Sequence, residues 1–439
     1  MMKKFSVIVI GAGGRGKTYA RYMNEMPDRY QIVGVAEPID VKREMFAEMY
    51  NIPEENVFSD WREILDRPKM ADVAVIATMD HDHYGPAMKA IELGYDLLLG
   101  YDLLLEKPVA PSEKECTDIA NAAAKKGVSV IVCHVLRYTP FFKTVKQIVD
   151  SGKIGKVMSI DHVEGIGDIH FSHSFIRGNW HSEKESTPMV LQKTCHDLDI
   201  LQWLIGKPCK KVHSFGSLTY FKPKNAPEGA PRRCAEGTCP IKDTCPYNAH
   251  KLYVENPNNL WWKTSFTQIV ATHPDFTDEE RQDALMRTDF GLCVFQANND
   301  VCDRQLVNME FEGGVTARMN VNAFNEGGRY IRIYGTKGEL FAFMGDESIY
   351  VRELYGERKR EYIPVMKTDE TIAGGHGGGD AGIVYDLYDY LNGTYKGVSV
   401  ADIHISVANH MIAFAAEESR HNDTVVSMDK FCAEHDFEV

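Results

Sequence analysis

Residues 5–16, Phe-Ser-Val-Ile-Val-Ile-Gly-Ala-Gly-Gly-Arg-Gly, decide the fold of this chain. Phe5 to Ile10 is a short apolar, β-branched run, long enough for one buried parallel strand. It runs directly into Gly11-x-Gly13-x-x-Gly16, and a helix-like segment follows from Thr18 to Met26. Strand, glycines and helix come in the order that binding of a dinucleotide pyrophosphate requires. Gly11 makes the tight turn, Gly13 lets backbone N–H groups approach the phosphates, and Gly16 lets helix pack on strand. The helix N-terminus adds free N–H groups and the positive end of its dipole.

The second half of the fingerprint is an acidic residue at the end of the next strand. Ile32 to Ala36 reads as that strand, with Glu37 at its end. A carboxylate there accepts from the ribose 2′-OH and repels a 2′-phosphate, so NAD is expected rather than NADP. Arg43 is close enough in sequence to offset part of that repulsion.

Working outward, 439 residues suggest two or three domains, and 44% hydrophobic content fills real cores. A net charge of −14 without a basic block argues against nucleic acid as a partner. Met1-Met2-Lys3-Lys4 mimics a signal peptide, but the apolar run is too short and leads into glycines and Arg15. No run reaches membrane-spanning length, so a cytoplasmic protein is expected. Its ten cysteines stand mostly singly within apolar runs, as buried thiols in a reducing compartment would.

Strands and helices alternate to about Cys133, predicting a doubly wound parallel sheet over residues 1–135. Predicted strands are Asp72–Thr78, one ending at Leu105, and Ser129–Cys133. Gly11, Glu37, Thr78, Glu106 and His134 all fall just past strand ends, where such sheets bind ligands. Residues 94–99, Gly-Tyr-Asp-Leu-Leu-Leu, recur immediately as residues 100–105. Because six is even, either copy presents the same face. Only the second adjoins Glu106-Lys107-Pro108, so it is expected to form the strand. Residues 136–439 read as an α+β domain with a large, mostly antiparallel sheet, its C-terminal helices packing back on the first domain. Within it, 222–245 is a Pro-, Gly- and Cys-rich excursion. The glycine run 374–379 reads as a loop, and Asp380 as the cap of a helix beginning at Ala381.

Three clusters carry chemistry. Lys107, in Glu106-Lys107-Pro108, stands at a strand's carboxyl end, where it can donate to a substrate hydroxyl. Gln192, His196, Asp199 and Trp203 share one face if 192–203 is a single helix, and Lys193 and Asp197 another. Oxidising an alcohol needs a base for the hydroxyl proton, and histidine is the usual one. Upstream, His170, His173, Arg177, Asn179, Trp180 and His181 suit a polyhydroxylated ligand or a solvated loop. Cys234, Cys239 and Cys245, with His250, offer ligand types that zinc uses, at wider spacing than structural zinc sites. Free thiols are the favoured reading, and no metal is assigned.

These motifs resemble the glucose–fructose oxidoreductase / inositol dehydrogenase / MocA (Gfo/Idh/MocA) family. The matching pieces are the glycine turn, Glu37, Asp80 with His83, Glu106-Lys107-Pro108 and Arg137-Tyr138-x-Pro140. Gly152-Lys-Ile-Gly155-Lys-Val, His196-Asp-Leu-Asp199 and Gly335-Thr-Lys-Gly338 complete the set. The resemblance implies a Rossmann domain, a substrate domain whose open sheet face often joins subunits into a dimer or tetramer, and a nicotinamide cofactor. It also implies a sugar or polyol substrate, with Lys107 ordering substrate and nicotinamide and His196 as acid/base. Members often carry Asp four residues before that histidine, where this chain has Gln192, and one copy of the repeated hexapeptide.

The expected cofactor contacts are Gly11, Ala12, Gly13, Gly14, Arg15 and Gly16, then Glu37, Thr78, Asp80, His83, Glu106 and Lys107. Substrate is expected at Lys107, Arg137, Trp180, Gln192, Lys193 and His196. The activity expected is NAD-dependent oxidation of a secondary hydroxyl on a sugar or cyclitol. The rivals are glycoside cleavage through transient oxidation and a nucleotide-bound sensor without turnover.

Overall fold

The computed structural model describes residues 3–93, 102–256, 260–273, 275–366 and 375–438. The first sheet is built from β1 (Phe5–Ile10), β2 (Tyr30–Ala36), β3 (Val57–Phe58), β4 (Val73–Ile76), β5 (Asp102–Leu105) and β6 (Val130–Val132). All its pairings are parallel, in the order β3-β2-β1-β4-β5-β6. Helices α1 (Gly14–Asn24), α2 (Asp40–Tyr50), α3 (Trp61–Leu65), α4 (Tyr84–Glu92) and α5 (Glu113–Lys126) connect the strands. Strands buried on both faces need continuous apolar runs, and β1, β4 and β5 supply them.

The second hexapeptide forms β5: Asp102 to Leu105 pair with Val73 to Ile76, and Glu106 follows at once. The first copy, 94–99, lies outside the described residues. Helix α1 starts at Gly14, four residues before the predicted start, so the glycine turn is itself the first helical turn.

Beyond β6 come α6 (Pro140–Asp150), β7 (Val157–Gly165), α7 (Asp168–Phe171), α8 (Met189–Gln192), α9 (Cys195–Ile205) and β8 (Cys209–Ser217). An inserted lobe carries α10 (Leu260–Val270) and α11 (Asp278–Arg287). After it run β9 (Arg304–Phe311), β10 (Val315–Asn322), β11 (Gly328–Gly335), β12 (Gly338–Phe343), β13 (Ser348–Glu353) and β14 (Arg360–Pro364). The chain closes with α12 (Gly379–Leu391), α13 (Ile403–Asn422), β15 (Val426–Ser427) and α14 (Met428–Glu434).

The second sheet has nine strands, ordered β14-β13-β12-β11-β7-β10-β9-β8-β15, antiparallel except for β7 with β10. Helices α9 and α13 cover one face. The opposite face carries exposed Phe215, Tyr330, Phe341 and Tyr362. No helix among the described residues is long and apolar enough to cross a membrane.

Helix α12 lies against α1 and the 135–138 turn. Tyr30 donates to the Val384 carbonyl at 2.9 Å, and a Cβ at Gly379 would meet the Val135 carbonyl oxygen at 2.3 Å. This helix begins at Gly379, two residues earlier than predicted, so Asp380 lies within its first turn and is not its cap. The carboxylate is instead paired with Arg15 at 2.8 Å.

A second join is Arg137, whose Nε and terminal nitrogen each donate to Asp199 at 2.6 Å, both residues buried. Removing one partner of a buried pair leaves an uncompensated charge and costs about 3–5 kcal/mol. Asp199→Ala is therefore expected to lower the thermal unfolding midpoint by several degrees, measured by circular dichroism. An unchanged midpoint would mean that the pair does not hold the two sheets' layers together.

Candidate functional site

Gly11 adopts φ +92°, and a Cβ there would sit 2.5 Å from the Ala77 carbonyl oxygen. At Gly16 a Cβ would lie 2.0 Å from the Gly11 carbonyl oxygen, so these two glycines are needed for packing. Gly13 and Gly14 differ: a Cβ at either meets nothing within 4 Å. Their backbone borders open space at the N-terminus of α1, which has no side-chain cap. That combination of free N–H groups and room suits a phosphate.

At the end of β2, the Glu37 carboxylate accepts from the Ala12 N–H at 2.8 Å and the Ile39 N–H at 3.1 Å. Arg43 is committed to Asp40 at 2.5 Å and to the Glu37 carbonyl at 2.7 Å. The carboxylate is thus held in place by main chain, while the nearby guanidinium has other partners.

Two expected cofactor contacts are engaged within the protein. The Arg15 guanidinium is one of them. It binds Glu106 at 2.6 Å, Asp380 at 2.8 Å and the Tyr19 hydroxyl. His83 is buried, with Nδ1 2.7 Å from the Pro108 carbonyl and Nε2 3.2 Å from that of Thr78. It braces two loops. Thr78 donates to the Asp82 carbonyl at 3.0 Å, and Asp80 is buried 3.5 Å from the Thr187 hydroxyl.

Glu106 is the junction of this region. It accepts from Arg15, from Tyr19 at 2.5 Å and from the Lys107 N–H at 3.0 Å. Burial pushes its carboxyl up, but Arg15 and Lys107 outweigh burial and hold it below the usual carboxylate range. The carboxylate is therefore ionised and positions Lys107, whose ammonium donates to the Gln192 carbonyl at 2.9 Å.

The predicted single helix 192–203 is interrupted at Lys193-Thr194, between α8 and α9. The interruption places the Gln192 carbonyl at the end of α8, within reach of Lys107. His196 follows in the first turn of α9, its ring edge-on to His134 at 5.9 Å. His134 in turn stacks edge-on with His410 of α13 at 5.9 Å. His410 Nε2 accepts from the Val109 N–H at 3.0 Å, and its Nδ1 donates to the Ser406 carbonyl at 2.7 Å. Burial pushes His134 down to about 4 and His410 down to about 3, so both rings are neutral at pH 7. Sequence reasoning missed His410, because nothing local marks a helical histidine 300 residues from the lysine turn.

Other expected substrate contacts divide. Arg137 is paired with Asp199 through two of its nitrogens. Lys193 lies 3.4 Å from Glu164, which also meets Arg329 at 2.9 Å. Burial lowers the Lys193 pKa, with Arg329 and Lys107 adding to the effect against Glu164. Asp197 joins this cluster through His162 at 2.7 Å and Arg329 at 2.8 Å. The Trp180 indole is half-buried, packs near Phe175, and its buried N–H makes no hydrogen bond within the protein. His173 binds Tyr253 and Ser265, and Arg177 the carbonyls of Leu292 and Tyr247. Those two residues hold the inserted lobe and are not aligned as sugar-binding groups.

That lobe makes a wall. Between it and the β4 loop lies a cavity of about 820 Å³, bounded by Asp80, Asn179, His181, Phe276, Glu280 and Arg287. The wall helix α11 has a readable start signal, the Thr277/Glu280 capping box.

Residues 5–134 match the family described as "Oxidoreductase family, NAD-binding Rossmann fold", and residues 146–427 its C-terminal alpha/beta domain. YteT of Bacillus subtilis (strain 168) is 26% identical over 402 residues, spanning 87% of this chain and 88% of that protein. A 2,7-anhydro-N-acetylneuraminate hydratase of Escherichia coli (strain K12) is 26% identical over 211 residues, 47% of this chain and 51% of the relative. Among solved structures, levoglucosan dehydrogenase in complex with NADH and L-sorbose has a TM-score of 0.70 at 18% identity. The match covers 97% of this chain and 99% of that one. With both halves matched and the glycine turn, Glu37 and the lysine turn set around one crevice, the chain belongs to the Gfo/Idh/MocA family of oxidoreductases, whose N-terminal domain is an NAD-binding Rossmann fold.

Proposed function

We propose that the protein oxidises a secondary hydroxyl of a sugar, cyclitol or sugar derivative with NAD as hydride acceptor. The observation that carries this reading is Lys107, whose main-chain N–H donates to Glu106 and whose ammonium donates to the Gln192 carbonyl, just before α9. A substrate hydroxyl arriving there accepts a hydrogen bond from Lys107, which lowers the cost of losing its proton. His196 takes that proton, the carbon–oxygen double bond forms, and the hydrogen on that carbon leaves with its electron pair as hydride. Bound NAD supplies the electron-poor ring that receives the hydride. His134 and His410, kept neutral by burial, add no further positive charge beside Lys107. Gln192, a neutral amide where relatives often have Asp, leaves the proton with His196 instead of with a carboxylate partner. Trp180, partly exposed, offers an indole face to a polyhydroxylated ring.

The levoglucosan dehydrogenase likeness supports a carbohydrate substrate. The relative named as a hydratase favours a second reading, transient oxidation followed by elimination and return of the hydride. The exposed aromatic face of the second sheet suits a homo-oligomer.

A panel of sugars, cyclitols and aryl glycosides incubated with NAD separates these readings, following NADH by absorbance and products by mass spectrometry. Stoichiometric NADH and a ketone are expected. Release of an aglycone without NADH would replace the first reading by the second. Lys107→Met is expected to lower kcat by about 10²–10⁴-fold while NAD binding, read by fluorescence titration, is retained. Full turnover in that variant would remove Lys107 from the chemistry. Glu37→Ala loses charge-assisted hydrogen bonds worth about 1.5–3 kcal/mol. It should weaken NAD by roughly 10–100-fold and NADP much less, so an unchanged preference would place the ribose elsewhere.

A further inference from the structure

The inserted lobe gathers four cysteines that are distant in sequence. Cys234 opens a short helical turn, and its neighbour Arg233 bridges antiparallel to Leu292. Cys293 then donates its N–H to the Arg232 carbonyl at 2.8 Å, which lays it beside Cys234. Between them the chain turns back twice, Lys242 N–H to the Cys239 carbonyl at 3.1 Å and Cys245 N–H to that of Ile241 at 2.9 Å. All four side chains line one small cavity with Arg177. None is in a disulfide.

Two further observations point to a ligand. Arg177, which lines this cavity, is 2% exposed, and one of its terminal nitrogens is buried without a hydrogen-bond partner. The Ala249 N–H also points at Cys234 Sγ, 3.4 Å away, as main-chain donors do toward metal-bound thiolates. His250, grouped with these cysteines by sequence, is turned away to Gln282 at 2.6 Å and Glu255 at 3.2 Å.

The separation of the sulfurs selects the metal centre. Four thiolates around one zinc ion, each about 2.3 Å from it, stand roughly 3.8 Å apart. Among the described residues, no three of these sulfurs lie within 4.8 Å of one another. A cubane cluster places its iron atoms at separate corners and so holds its thiolates farther apart than a single ion does.

We infer that Cys234, Cys239, Cys245 and Cys293 form a four-thiolate site for a [4Fe–4S] cluster inside the inserted lobe. Arg177 offsets the negative charge of the ligated cluster, and its other two donors fix it to Leu292 and Tyr247 across the same lobe. The cluster fastens the segment that walls the 820 Å³ cavity, apart from the hydride chemistry at Lys107.

The test is metal analysis of the full-length protein purified without oxygen, then reconstituted with ferrous iron and sulfide. About four iron and four acid-labile sulfide per chain are expected, with broad visible absorption that bleaches on adding dithionite. Cys239→Ser and Cys293→Ser should each cut bound iron several-fold. Cys302→Ser, a buried thiol outside the cavity, should leave it unchanged. Stoichiometric zinc, or no iron before or after reconstitution, would overturn the assignment. So would retention of the full cluster in Cys293→Ser, since three sequence-adjacent thiols would then suffice.

Discussion

Glu106 is the constraint on which the site depends. One buried carboxylate accepts from Arg15 of the glycine turn, Tyr19 of α1 and the main chain of Lys107. Through Arg15 it also reaches Asp380 on α12, more than 270 residues later. An ionised carboxylate out of water is tolerated only when its lone pairs are filled and its charge is matched. Satisfying it therefore sets the distance between two strand ends and draws α12 onto the first domain. The lysine is presented by this arrangement and not by its own long, flexible stem.

Around that anchor the charged groups separate into two buried networks. Arg137, Asp199 and Asn409 join the turn after β6 to α9 and α13. Asp197, His162, Arg329, Glu164 and Lys193 join α8 and α9 to the inner face of the second sheet. His196 and Gln192 lie at the start of α9 and the end of α8, beside the opening. Residues one apart in His196-Asp-Leu-Asp199 thus do unrelated work, because a helix turns each one toward a different neighbour.

The inserted lobe has a core of its own, with Tyr253, Phe266, Leu285 and Phe290 fully or nearly buried. Arg177 and His173 are among the groups that tie it to the rest of the chain, with Phe295 packed on Phe221 and the Glu183 N–H donating to Asp300. A small lobe with its own core gains from a covalent or metal fastening, which is the physical setting for four converging thiols.

Much of the fold was legible in the chain itself. The apolar runs of β1, β4 and β5, the glycine turn and Glu37 follow local rules of burial and backbone sterics. For the same reason the second hexapeptide was identifiable as the strand, since it must adjoin Glu106. The alternating strands of the second sheet were recognisable, though β13, β14, α10 and α11 were not singled out. What the sequence could not contain was partnership: Arg15 with Asp380, Arg137 with Asp199, His134 with His410, and Cys293 with three cysteines some 50 to 60 residues earlier. Local pattern determines whether a residue is buried in a strand or a helix. Which charge it must neutralise is decided only when distant segments pack, because the cost of an unpaired buried group is settled in three dimensions.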